Sequence, residues 1–516
     1  MKSAAELIKE NEELKAELDQ NKQYLAQQKN YIQQLEELIK QSNRKYFSAS
    51  SEKISPDQLG FFNETEDSVD EDDGDTPDKA SSESEHDSTV TVKSHSRQKT
   101  RVPRIPEHLP REEIVYDLPE EEKNCPHDGA ELKLIGSDDH EQLDIVPAQV
   151  KVLKHKRLKY ACPCCDQHIV TATKPKQAIE KSIASPGLLA FIATQKYCDA
   201  LPLYRQSEIL SRTGIDLNRS NLARWMVRCG ELIQPLYNLL HEQLLQRQVI
   251  HLDETTVQVL NEPGKAPQSK SYMWLMASFT EQPITLFYYA DTRSQKIPLQ
   301  QLADTNAQAI MVDGYEGYQA ACDQYQLTRI GCWAHARRKF VDAQKLQAKG
   351  KRGKADQVLA FIQKLYVLEK NLKNKPPDER KNVRQQQAKP IIDKIRAWLE
   401  KSLPHVPPKT ALGKALQYLH TQWPRLIAYL DDGAYPIDNN LAENKIRPFA
   451  VGRKNWLFAN SQAGAHASAN LYSLIQTAKA NGLNPFTYLT YVFKELPNAQ
   501  CVEDVERLLP WYVEAG

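Results

Sequence analysis

The chain beyond residue 248 predicts an α/β domain, and three observations carry that prediction. Runs rich in β-branched and aromatic residues recur as "VIHLDETTVQVL", "SYMWLMASF", "PITLFYYA", "AQAIMVD" and "TRIGCW". Helical segments, "RSQKIPLQQLAD" and "GYQAACDQY", separate the third run from the fourth and the fourth from the fifth. The first run carries Asp253 and the fourth ends at Asp313, so a sheet in which those two strands are neighbours brings two carboxylates to one edge.

At 516 residues the chain is too long for one hydrophobic core and divides into several domains. Its longest apolar runs, such as "GLLAFIA" and "YMWLM", are too short to cross a bilayer, and "MKSAAELIKENEEL" lacks the apolar centre of a signal peptide. The expectation is a cytoplasmic protein with no membrane partner. Nine Cys, three of them in "CPCC", point to metal ligation or free thiols in a reducing compartment. The formal net charge of zero conceals a division: twelve Asp or Glu and one Lys lie between Glu64 and Asp87, which leaves the rest of the chain with +11.

Residues 1–45 predict a coiled coil, because Leu18, Leu25, Ile32 and Ile39 recur seven apart with Leu7, Leu14 and Leu35 on the adjoining row. Such a seam pairs two copies of the chain into a homodimer; the alternative is a lone amphipathic helix packed on its own body. Residues 46–100 are Ser, Asp and Glu with almost no aromatic side chains after Phe62, the composition of a disordered acidic linker. Residues 101–175 predict a small β module resembling a zinc ribbon. Cys125 in "CPHDG" and Cys162 and Cys165 in "YACPCC" form two short knuckles joined by strand-like "QVKVLKHKRLKYA". Each knuckle offers two ligands to one tetrahedral ion, with Asp128 or its neighbour His127 standing where a fourth Cys belongs. A metal-free ribbon with packed thiols fits the same residues. Lys154, Lys156 and Arg157 make the ribbon basic, which suits phosphate contact.

Residues 176–247 are helical: "SPGLLAFIATQKYCD", then "LPLYRQSEILSRTG" ending at Gly214, then one long helix from "NRSNLARW" to "HEQLL" with Asn218 or Ser220 as N-cap. The last two resemble a helix-turn-helix with Arg224 and Arg228 on the exposed face of a recognition helix. An ordinary helical hairpin fits equally well.

In "HLDETT" adjacent strand residues face opposite sides, so only one of Asp253 and Glu254 can join Asp313; the flanking Ile250 and Leu252 favour Asp253. Carboxylates converging from different strands suit Mg²⁺, a hard cation that also binds phosphate oxygens. A third acid, Glu443, sits in "DNNLAENKIRPFAVGRKNWLF", where Asp438 reads as an N-cap, Pro448 as a helix break, and Arg447 lies one turn from Glu443 on the same face.

The blocks "HLDETT", "VDGYEGY", "GCWAHARRKF", "DNNLAENKIRPFAVGRKNWLF", "RKYFSASSEK", "CPHDG…EQLDIVPAQVKV" and "YACPCC" together resemble the transposases of the insertion-sequence-66 family, in family order. The resemblance implies a DDE-type transposase. It implies a ribonuclease H-like catalytic domain whose first part is residues 248–334 and whose second part, 433–480, carries Glu443; residues 481–516 form a C-terminal helical tail. Residues 335–432 hold four helical segments where that fold needs one, so they form an all-α insertion. Asp253, Asp313 and Glu443 become the catalytic acids and the ligands of two Mg²⁺ ions. Cys332 and His335 form a Cys-x-x-His element near the active site. Double-stranded DNA, as element ends and as target, is the implied partner, contacted by Arg337, Arg338, Lys339, Arg447, Arg453 and Lys454. Small accessory proteins of the same element are implied as well. A ribonuclease H-like nuclease without strand transfer, or a non-catalytic DNA-binding regulator, would use many of the same residues.

Overall fold

The computed structural model describes residues 15, 18, 22, 36, 111–113, 142, 149–161, 169–347 and 353–513. Most of the expected coiled coil, the acidic linker and the expected zinc ligands Cys125, Asp128, Cys162 and Cys165 lie outside the described residues. The chain forms two compact units, one of residues 1–68 with 157–516 and one of residues 69–156. In the second, residues 149–156 are exposed and adopt no regular structure, so the strand expected across 149–161 is confined to its last three residues, in the first unit. There β1 (Lys159–Ala161) pairs antiparallel with β2 (Ile169–Thr171).

In the first unit α1 (Pro186–Tyr197) begins at Ser185, whose Oγ accepts from Leu188 N–H. Helix α2 (Leu203–Arg212) stops ahead of Gly214, where φ is +81°. Helix α3 (Arg219–Leu232) is capped by Asn218, and α4 (Gln234–Leu245) follows. The single long helix expected here is therefore two: Pro235 has no N–H to continue the ladder, and its ring excludes the preceding carbonyl. Helix α3 buries Leu222, Trp225, Met226 and Cys229 and leaves Arg224 and Arg228 exposed.

The five expected strands all form: β3 (Val249–Asn261), β4 (Lys270–Ser278), β5 (Ile284–Ala290), β6 (Ala309–Val312) and β7 (Thr328–Gly331). Their order is β5-β4-β3-β6-β7, with β5, β4 and β3 antiparallel and β3, β6 and β7 parallel. Short α5 (Lys296–Gln301) and α6 (Gln319–Tyr325) occupy the crossovers. Both faces of the sheet are covered, as a mixed sheet with apolar residues on both sides requires. Ile250, Leu252, Ile310 and Val312 point into one core, shared with α1, α3, α4 and two later helices, α13 (Gln462–Ala480) and α14 (Pro485–Glu495). Val249, Ala309, Met311 and Ile330 point into a second core, built with α7 (Trp333–Gln344), α8 (Lys354–Leu372), α10 (Lys389–Ser402) and α11 (Ala411–Ile427). These inserted helices, with the short α9 (Pro377–Val383), are held together by Arg384. Its guanidinium, almost wholly buried, donates to Glu369 and to the carbonyls of Tyr429 and Asp432.

Edge strand β5 is closed by side chains. Ser473 and Thr477, one turn apart on α13, accept the N–H groups of Phe287 and Thr285 at 2.7 and 3.1 Å and donate back to the same residues' carbonyls. An otherwise open strand edge is thereby satisfied without another strand. The chain ends in α15 (Val502–Glu506) and a short turn. Among the described residues no helix is long and apolar enough to cross a membrane.

Candidate active site

Strand β3 is long, and its two edges have different fates. Against β4 it is paired from His251 to Gln258, but against β6 only from Val249 to His251, because β6 ends at Val312. At the far end the short β8 (Ala459–Ser461) pairs with Val259 and Asn261. Between them lies a stretch of β3 with one edge left without a strand, and Asp253 stands on it. The His251↔Met311 register carried two residues on sets Asp253 level with Asp313. By alternation Asp253 shares the face of Val249, the side covered by the inserted helices, and Asp313 directly follows the last residue of β6.

Helix α12 (Asn440–Trp456) runs along this open stretch and supplies what a strand would have supplied. Asn439, almost wholly buried ahead of the helix, donates from Nδ2 to the Leu252 carbonyl at 2.9 Å and accepts from His251 Nδ1 at 2.9 Å. Its N–H reaches Cys332 Sγ at 3.3 Å, and its carbonyl accepts from Glu443 N–H at 3.0 Å. One amide side chain thus ties the strand of Asp253 to the helix of Glu443. Near the other end Arg453 Nη1 donates to the Thr256 carbonyl and lies 3.0 Å from Thr256 Oγ1. Pro448 does not break this helix, contrary to expectation. The backbone continues through it to Trp456, with Ile446, Phe449 and Gly452 buried on either side to offset the one hydrogen bond that proline removes. The N-cap is Asn439 and not Asp438 as expected; Asp438 stands one residue ahead of it and accepts Asn440 N–H at 3.1 Å.

Burial pushes the Asp253 carboxyl well above the usual carboxylate range, and the neighbouring charges of Glu254, Glu443 and Asp313 push it the same way. Negative charges that raise the proton affinity of Asp253 form a site that a divalent cation would relieve. Glu254 points to the opposite face and is already engaged: Arg293 Nε donates to it at 2.7 Å and the Tyr318 hydroxyl donates to its other oxygen. Asp313 Oδ1 accepts from Tyr315 N–H at 2.8 Å.

Glu443 is not paired with Arg447, which is exposed on α12. Its partners come from α7: Arg338 Nη2 lies 2.9 Å from Oε2, and His335 Nδ1 lies 3.5 Å from Oε1. Cys332, the residue ahead of α7, completes a group in which one donor atom from each of Cys332, His335 and Glu443 lies within 4.8 Å of the other two. Burial holds the His335 imidazole below its ordinary value and the Cys332 thiol well above its own.

The remaining residues named from the sequence divide by environment. Lys339 is exposed, 5.8 Å from the Tyr418 ring centroid, and Arg337 is half-buried. Arg228 pairs with Glu231 at 2.9 Å, whereas Lys154, Lys156 and Arg224 are simply exposed; Arg157 donates to the Ala172 carbonyl at 2.7 Å. Lys454 is exposed on the last turn of α12. Trp456 packs edge-on against Phe449 at 5.4 Å and belongs to the core margin. No spacing or motif in the sequence singles out Asn439 or Arg293. The doublet Asn439-Asn440 directly ahead of an acid-bearing helix is the one trace Asn439 leaves there.

Comparison with known proteins places these elements. The family model described as "Transposase IS66 family" matches residues 181–467, "IS66 C-terminal element" residues 473–511, "zinc-finger binding domain of transposase IS66" residues 122–166, and "Transposase C of IS166 homeodomain" residues 34–114. Two relatives from Sinorhizobium fredii (strain NBRC 101917 / NGR234) are similar over most of their length. Uncharacterized protein y4qI is 33% identical over 417 residues, 78% of this chain and 76% of the relative, and uncharacterized protein y4jD is 31% identical over 420 residues, 79% and 81%. A solved structure, the Drosophila P element transposase strand transfer complex, covers 57% of this chain and 93% of its own at 11% identity and a TM-score of 0.32, a likeness too slight to bear on the fold. With more than half of its length matched by the principal family model, the chain belongs to the Transposase IS66 family.

Proposed function

We propose that this protein is a DDE-type DNA transposase that cleaves the ends of an insertion sequence and transfers the freed 3′-hydroxyl strand into target DNA. The observation that carries the reading is the sheet register that sets Asp253 level with Asp313, together with the charge of Glu443 felt at Asp253. The strand order β5-β4-β3-β6-β7, with three antiparallel strands followed by two parallel ones, supports a ribonuclease H-like catalytic domain interrupted by an all-α insertion.

The donor set fits Mg²⁺: three carboxylates crowded enough to raise the proton affinity of one of them. Asp253, Asp313 and Glu443 would hold two Mg²⁺ ions, which supply Lewis-acid activation of the attacking oxygen and stabilisation of the leaving one. The chain itself positions the acids. Asn439 fixes the distance between β3 and α12, and Arg453 locks the helix onto the strand. Arg447, exposed one turn from Glu443, and the exposed Lys339 of α7 are assigned to DNA phosphates, as are Arg337 and Lys454 and the exposed Arg224 and Arg228 of α3. Arg338, now paired with Glu443, would be free to join them if Glu443 held a cation.

Zn²⁺ on Cys125, Asp128, Cys162 and Cys165 would give the N-terminal module its fold, with Lys154, Lys156 and Arg157 added to the DNA surface. A coiled-coil homodimer would hold two element ends at once, with accessory proteins of the element assisting, in the cytoplasm. The test is a strand-transfer assay with the full chain, Mg²⁺, an uncleaved end duplex and a supercoiled target. A joined product is expected. Cleavage without joining would reduce the proposal to a nuclease, and binding alone would reduce it to a regulator.

A further inference from the structure

We infer that Cys332, His335 and Glu443 form a binding site for a borderline-soft divalent cation of the Zn²⁺ class, distinct from the carboxylate site and sharing only Glu443 with it. Three features of the group support this. The donors are a thiol sulfur, an imidazole nitrogen and a carboxylate oxygen, the ligand types that zinc takes together and that Mg²⁺ does not. Cys332 and His335 stand three residues apart where α7 begins, so they share one helix face, and Glu443 reaches them from α12. Finally, two of the donor atoms are orphaned. His335 Nδ1 and Glu443 Oε1 are both buried and neither has a hydrogen-bond partner among the described residues, although they face each other at 3.5 Å.

That separation is too long for an N–H···O bond. It matches two ligands of one tetrahedral ion: with zinc about 2.0–2.1 Å from nitrogen and oxygen, such ligands stand about 3.3–3.4 Å apart. Glu443 is divided between two tasks, since Arg338 holds Oε2 at 2.9 Å and leaves Oε1 to face His335. A bound zinc ion would therefore withdraw Glu443 from Asp253 and Asp313. If those three acids act as proposed above, zinc inhibits Mg²⁺-dependent cleavage and Cys332→Ser relieves the inhibition.

The binding test does not depend on activity. Full-length protein is loaded with Zn²⁺, freed of excess, and its metal content measured by atomic emission. His335→Ala is expected to lower the content by one ion per chain, and Asp253→Asn to leave it unchanged. In a chain with Cys125, Cys162, Cys164 and Cys165 all changed to Ser, Co²⁺ is expected to give a thiolate charge-transfer band that Cys332→Ser abolishes. Circular dichroism of each variant separates lost binding from lost folding, and His335→Gln replaces any variant that fails to fold. Unchanged zinc content in folded His335→Ala overturns the inference. So does a loss of that ion on Asp253→Asn, which would place it among the carboxylates. Either result can occur with strand transfer intact, so failure here is distinguishable from failure of the transposase proposal.

Discussion

Arg338→Met is predicted to tighten divalent-cation binding at the carboxylate site, because the arginine and the cation compete for Glu443. The guanidinium lies 2.9 Å from Glu443 Oε2, with the Arg338 side chain 53% exposed and Glu443 23%. At that distance the Coulomb attraction is about 1.4 kcal/mol in a water-like dielectric. Side-chain entropy and salt screening reduce exposed pairs to about 0.2–1 kcal/mol. Releasing that energy to the cation corresponds to roughly 1.4- to 5-fold tighter binding, since about 1.4 kcal/mol is a factor of ten. Methionine keeps the apolar stem and removes only the charge. The assay is calorimetric titration of zinc-free, DNA-free protein with Mn²⁺ as the Mg²⁺ surrogate. Unchanged or weaker Mn²⁺ binding by a folded Arg338→Met protein would refute the competition and with it the placement of a cation at Glu443.

Two further predictions concern the joint between β3 and α12. Burial drives the His251 imidazole down to about 4, so the native state stays neutral there while the unfolded chain takes up a proton near pH 6.5. Stability is unaffected above that value and falls as pH drops from 6.5 towards 4, by about 3 kcal/mol in all. His251→Gln removes this component: urea midpoints of the two proteins should converge at pH 5 relative to pH 7, and parallel pH profiles would contradict the assignment. Asn439→Ala orphans the Leu252 carbonyl and His251 Nδ1, a loss of about 1–3 kcal/mol. A lower urea midpoint with a slower cleavage rate is expected, and an unchanged rate would remove Asn439 from the positioning of Glu443.

Much of the sheet was legible in the sequence, because its signals are local. The strands announce themselves as dense β-branched and aromatic runs, and all five form; alternation alone separated Asp253 from Glu254, which the structure finds engaged on the opposite face with Arg293 and Tyr318. Partnerships were not legible. Glu443 and Arg338 are 105 positions apart, and His251 and Asn439 are 188 apart, distances over which no spacing rule operates. Arg447, one turn from Glu443, was expected to face outward rather than pair with it, and it is exposed; the partner that no local rule named is Arg338. Proline misled in both directions. Pro448 looked like a helix end yet is absorbed within α12 by buried neighbours, whereas Pro235 does divide a helix that looked continuous. Propensity proposes such breaks, and the packing of flanking residues decides them.

Asp253 is proposed to work with Asp313 and Glu443 in metal-dependent cutting of DNA. Mg²⁺-dependent cleavage of an element-end duplex by Asp253→Asn, with end binding measured on the same preparation, tests it most directly. Retained binding with cleavage lost is the predicted result, and cleavage at the unmodified protein's rate would contradict the claim.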